Sequence, residues 1–399
     1  MNIGIITYSI KIGGVETVIE TLSKNFISQG HSVEIIETVS KGEQSDSFRN
    51  KGFNVHTILI DSFETKNDFA IRLATSLYKY DVLILNAVPF VHNILGLLKA
   101  ETVVLPILHN DISDFYDTVV LNRKQWDKVI CVSYALEKKL KKLKNLDSNE
   151  VTTILNGIDV DKTFPQKIEK KSKKIEIIYV GRIEDKQKGV LLLPQIIKKV
   201  VKNIEDEIVL KIIGNGPSLS RLKKESKELE VDKYISFLGE KSHGEVLKNM
   251  RESDILIMPS YYEGLGLVYL EAMAQGVIPL ASNLKDNTDL IISHGENGFL
   301  CEIGDVDCFA QQIISIVSNR KDIESISYKA WETAYNSLSV EIMTQNYLSL
   351  IDDVINSKIT TRSKEIKKIP FGNLPYILTQ IIDLNIRVKN KFLREINLK

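Results

Sequence analysis

Two cations and two carboxylates stand where chemistry is done in chains of alternating strands and helices. Arg182 and Lys188 follow an apolar run, 175–180, within one short loop that opens on Gly181 and closes on Gly189. Arginine offers a planar fork of donors and lysine a compact point charge, a pairing suited to a diphosphate. Further on, the run 255–259 leads into Glu263-Gly264-Leu265-Gly266-Leu267 and a strongly helix-forming segment that contains Glu271. Backbone N–H groups at such a helix start face outward unpaired, and the helix dipole adds attraction for an anion. Glu263 lies in the loop and Glu271 inside the helix. They therefore cannot form an acid/base couple on one helical face, and they are expected to address different parts of one elongated ligand. Gly13-Gly14, between the first strand and first helix, and Gly214 in Gly214-Asn215-Gly216-Pro217 are further glycine turns after strands. Each alone reads equally as a plain turn.

These residues need strands and helices to hold them. The β-like runs 3–7, 32–37, 55–58, 82–86, 102–108 and 129–133 alternate with helical patterns such as 15–29, which Gly30 stops. A polar, Lys-rich stretch at 162–174 reads as a linker. The same alternation restarts at 175–180 and continues through 208–213, 234–238, 255–259, 277–281 and 298–301. A long helix is expected over 338–357. Two separately restarting α/β units imply two parallel-sheet domains, consistent with a length of 399 residues.

Composition narrows the function. Apolar residues make up 43% and the formal net charge is +0, so no global field draws the chain to nucleic acid. Cys131, Cys301 and Cys308 show no metal-like spacing and read as reduced thiols. No signal segment or membrane-spanning run is legible, which places the chain in the cytoplasm with at most peripheral contact at the inner face of the cell membrane. Basic amphipathic segments at 137–144 and 364–394 would supply that contact on an anionic surface. The triplets Asp159-Val160-Asp161 and Asp305-Val306-Asp307 do not follow buried strands. Asp305 reads as a helix cap, and no metal is expected.

In order along the chain, Gly13-Gly14, Asn156-Gly157-Ile158-Asp159, Gly181-Arg182 with Lys188-Gly189, Gly214-Asn215-Gly216-Pro217, Phe237-Leu238-Gly239, the spacing Glu263 to Glu271, and Asn297-Gly298-Phe299-Leu300 resemble glycosyltransferase family 4. The resemblance implies the GT-B fold: α/β, two facing Rossmann-like domains with a cleft between them and a C-terminal helix returning to the first. On that template 1–161 would bind the acceptor, 175–340 would bind a nucleoside-diphosphate sugar, and 341–399 would pack back and end in a basic tail. It further implies a retaining transfer of a hexose or N-acetylhexosamine, UDP-sugar favoured, to a glycan or lipid-linked acceptor in bacterial polysaccharide synthesis. The donor is a substrate, and no cofactor is required.

Residue by residue, the resemblance gives Arg182 and Lys188 the diphosphate, and Glu263 and His109 the donor sugar. Glu271 takes the ribose and Leu238 the nucleobase side. Gly14, Gly181, Gly214, Gly264, Leu265, Gly266 and Leu267 line the donor. The sequence departs from the family after 277–281, where Ser282-Asn283-Leu284-Lys285-Asp286-Asn287-Thr288-Asp289 lacks the usual glycine. Two other readings stay open: a non-catalytic nucleotide-sugar-binding subunit of another transferase, and a sugar-nucleotide epimerase on the same fold.

Overall fold

The computed structural model describes residues 1–358 apart from 12, 87, 166–173 and 206. Seven strands form the first sheet: β1 (Asn2–Thr7), β2 (Ser32–Glu37), β3 (Asn54–Thr57), β4 (Val82–Asn86), β5 (Val103–Leu108), β6 (Val129–Cys131) and β7 (Val151–Thr153). Six form the second: β8 (Ile175–Val180), β9 (Ile208–Ile213), β10 (Ile235–Gly239), β11 (Ile255–Met258), β12 (Ile278–Ser282) and β13 (Phe299–Cys301). Every pairing is parallel, for example Ile5 beside both Ile35 and Ile84. Helices cover both faces of a parallel sheet, so its strands are apolar along their length rather than alternating. β4 and β11 are buried at every residue.

The strand orders, β3-β2-β1-β4-β5-β6-β7 and β10-β9-β8-β11-β12-β13, each reverse direction once, between β1 and β4 and between β8 and β11. Crevices open at the carboxyl ends of strands flanking such a reversal. The loops after β1, β8 and β11 carry Gly14, Arg182 and Glu263. These three residues therefore sit at the switch points.

The expected strands all form, with small shifts at their ends. Ser133 leaves β6 to cap the helix Tyr134–Lys144, accepting from Leu136 N at 3.4 Å. Val277 leaves β12 because its N–H closes the preceding helix on Ala272 O. β7, whose three residues Val151–Thr153 include one apolar side chain, was not among the expected strands. The first helix, Gly14–Ser28, ends in a Schellman motif in which Gly30 (φ 86) donates to Ile27 O and His31 to Phe26 O.

The helix Val340–Lys358 crosses back to the first sheet's side, with Tyr347 edge-on to Phe26 at 6.3 Å. Its entry runs beside the outgoing chain: Ile158 N donates to Leu338 O and Val340 N to Ile158 O. A Cβ at Gly157 would lie 2.4 Å from Ser339 O, so glycine is what allows the two crossings to touch. The basic tail at 364–394 lies outside the described residues.

One expectation is corrected. Cys301 and Cys308 form a disulfide, and only Cys131 is a free, buried thiol. Asp305 caps the helix Val306–Ser318 through Cys308 N at 2.9 Å, and the resulting turn brings Cys308 over the end of β13 with the Cα atoms 5.7 Å apart. A spacing of seven residues does not announce that geometry. No described helix is long and apolar enough to cross a membrane.

Candidate active site

Glycine backbones stitch together the strand ends of the second sheet. Gly181 N donates to Ile213 O, and Gly214 N to Gly239 O. Gly214 adopts φ 134, and a Cβ there would lie 2.0 Å from Gly181 O. Around this seam opens a pocket of 810 Å³ lined by Arg182, Gly214, Pro217, Glu240 and Lys241, with Glu43 reaching in from the first domain. Arg182 is exposed and forms no ion pair with another described residue. Leu238 is half-buried against the core in β10, and the pocket wall passes to Glu240 and Lys241 instead.

Lys188 ends the single helical turn Asp185–Lys188. Gly189, at φ 59, stops the turn, and a Cβ there would meet Pro259 O at 2.2 Å. With Tyr261 N bound to Gln187 O at 2.8 Å, this contact presses the turn onto the end of β11. Lys188 Nζ donates to Glu263 Oε1 at 2.6 Å and Oε2 at 2.8 Å, and Ser260 Oγ donates to Oε1 at 2.8 Å. The two side chains are 16% and 5% exposed. An ammonium has three protons. Two are directed to Glu263, and the third has no acceptor among the described residues.

From Glu263 the chain runs into the helix Leu267–Ala274. The backbone N–H groups of Gly264, Leu265, Gly266 and Leu267 donate to no other described residue. Such a row at a helix start attracts anions. Asn287 grips the loop from behind, its amide nitrogen donating to Glu263 O at 3.1 Å and also to Gly264 O. Glu271 lies just over one turn into the helix and meets His243 Nε2 at 3.0 Å. That carboxylate raises the His243 pKa.

The first domain closes the cleft. A Cβ at Gly264 would lie 2.3 Å from His109 O, and one at Gly14 would lie 3.6 Å from Leu267 Cδ1. His109 is buried, and its Nε2 meets Asn86 Oδ1 at 2.7 Å. Asn86 spends its amide nitrogen on Ile6 O, so the oxygen faces His109 and Nε2 must carry the proton. Burial pushes the pKa of His109 down to about 4. At neutral pH the ring is uncharged, and Nδ1, an acceptor in this tautomer, has no partner among the described residues.

The structure thus brings Lys188, Glu263, Gly264 and His109 into one cluster, with Arg182 and the glycine seam beside it. Several positioning residues carry no legible motif. Ser260, Asn86, His243 and Asn287 are placed by the fold alone. Glu37 is a fifth: its buried carboxylate accepts from Ile10 N, Gly42 N, Ser45 Oγ and Thr57 Oγ1, fixing the loops that carry Gly14 and Glu43. The acidic triplets are used elsewhere. Asp159 pairs with Lys24, Asp161 with Arg251 and Asp307 with Lys199. In the segment 137–144, Lys138, Lys139, Lys141 and Lys144 pair with Asp286, Asp111, Glu137 and Asp117.

Comparison with known proteins places this geometry in context. Residues 160–333 match the family model of glycosyl transferases group 1, and residues 12–162 match that of Glycosyltransferase Family 4. The chain is 25% identical over 293 residues to N-acetyl-alpha-D-glucosaminyl L-malate synthase of Bacillus anthracis, covering 71% of this chain and 68% of that protein. It is 26% identical over 207 residues to the UDP-Gal:alpha-D-GlcNAc-diphosphoundecaprenol alpha-1,3-galactosyltransferase of Escherichia coli, covering 49% and 50%. Among solved structures, Anabaena HepE in complex with UDP superposes with a TM-score of 0.73 at 16% identity, covering 88% of this chain and 100% of that one. The pneumococcal O-GlcNAc transferase GtfA, with UDP and GlcNAc, gives 0.72 at 13% identity, covering 89% and 99%. At these identities the likeness is one of fold.

Proposed function

Because the chain belongs to the family 4 glycosyltransferases, with the GT-B fold of two Rossmann-like domains, we propose that it transfers a hexose or N-acetylhexosamine from a UDP-sugar, with retention and without a metal. The observation that carries this reading is the cluster at the end of β11. There the half-buried Lys188 is held on Glu263, beside Arg182 and four N–H groups that have no partner among the described residues. This is a cationic, preorganised cradle for a leaving diphosphate, and charge stabilisation of that kind is the largest single contribution in many enzymes. UDP accompanies the solved relatives, and a UDP-sugar stands in the name of the galactosyltransferase.

In this mechanism the acceptor hydroxyl attacks C1 of the donor sugar on the face the diphosphate leaves. The bond from C1 to the β-phosphate oxygen breaks, the acceptor O–C1 bond forms, and the acceptor proton passes to the departing phosphate. Arg182 and the third proton of Lys188 take up the developing charge, with the N–H groups of Leu265, Gly266 and Leu267. Glu263 and the bare Nδ1 of His109 accept from sugar hydroxyls, Glu271 from the ribose. Gly181, Gly214 and Leu238 shape the nucleotide side, and Gly14 closes the cleft.

The acceptor is proposed to be a glycan or lipid-linked sugar in surface-polysaccharide synthesis, as one relative's diphosphoundecaprenol acceptor suggests. With most lysines of 137–144 paired within the chain, peripheral membrane contact at the cytoplasmic face falls mainly to the basic residues of 364–394.

The test is a panel of UDP- and GDP-sugars with EDTA present, following nucleotide release and the anomeric configuration of the product by proton NMR. UDP release with an α-linked product from an α-linked donor is expected. An inverted product would overturn retention, and turnover only with added divalent cation would overturn metal independence. Tight donor binding without turnover would favour the binding-subunit reading, and a changed sugar-nucleotide without acceptor would favour the epimerase.

A further inference from the structure

We propose that Asn287 is a positioning residue for the donor diphosphate, its carboxamide aiming the N–H groups of Gly264 and Leu265 by gripping the carbonyls behind them; this rests on the UDP-sugar reading above. In a trans peptide the carbonyl and the N–H of one plane point in opposite directions. The carbonyl of Glu263 shares its plane with Gly264 N–H, and that of Gly264 shares its plane with Leu265 N–H. Asn287 donates from one nitrogen to both carbonyls. Both N–H groups are therefore turned away from Asn287, and neither has an acceptor among the described residues. Two carbonyl partners require the nitrogen to face them, and this leaves Oδ1 buried with no partner among the described residues. An amide held at that cost is fixed for the sake of the loop it grips.

The grip is itself braced. Asn287 is 3% exposed and its N–H donates to Asp289 Oδ1 at 3.0 Å. Thr288 Oγ1 donates to Ser282 O at 2.7 Å and accepts from Leu284 N at 2.8 Å. Next to it, Asp286 takes φ 59 and reaches the other domain, accepting Ala135 N at 3.0 Å and Lys138 Nζ at 2.7 Å. On the far side of the gripped loop, Gly264 abuts the carbonyl of His109. One loop thus joins the docking of the acceptor domain to the alignment of the phosphate donors. It occupies the place where the family pattern's glycine is missing, and a glycine could not supply this amide.

The experiment measures affinity for UDP and for uridine by calorimetry in wild type, Asn287→Asp and Asn287→Ser, with thermal unfolding alongside. Asn287→Asp is isosteric and loses both N–H donations. Asn287→Ser keeps a single hydroxyl donor and serves if the aspartate variant does not fold. UDP affinity is expected to fall at least tenfold in Asn287→Asp and to an intermediate degree in Asn287→Ser, with uridine affinity within twofold of wild type in both. UDP affinity within twofold of wild type in the variants would overturn the role, as would an equal fall for uridine, which marks general disruption. Failure of the wild type to bind UDP at all would instead strike the donor assignment.

Discussion

At the scale of single residues, the pair of half-buried Lys188 with buried Glu263 is the most consequential contact. Removing one member leaves a charge with little water and no partner, which typically costs about 3 to 5 kcal/mol. Glu263→Leu is therefore expected to destabilise the chain by that order in urea unfolding. The double variant Lys188→Met with Glu263→Leu is expected to recover much of the loss; a double variant as unstable as the two single changes summed would contradict a direct pair. The histidines set the acid side. Burial lowers both His92 and His109 from 6.5 to about 4. Between those values the unfolded chain binds protons that the native one does not, so this stability is complete above pH 6.5 and is lost as pH falls toward 4. Each contributes about 2 kcal/mol of loss between pH 6.5 and 5, and His109→Asn is expected to flatten that slope. His243 has the opposite sign. Its raised pKa means that the pairing with Glu271 helps below pH 6.5 and fades as pH climbs through the raised value. Arg182, Lys188 and Glu263 were legible because strand-end loops concentrate charge. Asn287 and Asn86 were not, since an asparagine in a polar loop looks the same whether it grips two carbonyls or only water.

At the scale of elements, glycines decide how closely loops approach. Gly264 was read as part of a phosphate-facing turn, but its tightest constraint is the His109 carbonyl of the other domain. Gly264→Ala is expected to cost about 1 to 3 kcal/mol of stability through overpacking and to suppress transfer by holding the cleft open. A variant matching wild type in melting temperature and in rate would contradict that contact. Strands over 32–37, 82–86, 175–180 and 208–213 were legible to the residue, being short runs rich in Val and Ile. β7 escaped because Val151 is the single apolar residue among its three. The Cys301–Cys308 bond escaped because it depends on how a helix cap folds over a strand end, a tertiary fact.

At the scale of the whole molecule, two reversals of strand order face each other, and the chain crosses between them twice beside Gly157. The two-domain plan was legible from the restart of the α/β pattern at 175. That the two domains face each other followed from the family resemblance, but which residues meet across the cleft did not, since Asp286 and Lys138 carry no sign in sequence that they pair. Membrane contact belongs at this scale as well. Replacing the Lys and Arg residues of 364–394 with Ser is expected to abolish cosedimentation with anionic vesicles, whereas the same change over 137–144 has a smaller effect; unchanged binding in the tail variant would show that the tail does not make the contact. The cradle at the end of β11 is tested by the rate of UDP release from the preferred UDP-sugar in wild type and Lys188→Ala at saturating acceptor. A fall of about 30- to 1000-fold is predicted, the equivalent of losing about 2 to 4 kcal/mol of transition-state stabilisation. A rate within a few-fold of wild type would contradict the role of Lys188 on the leaving phosphate.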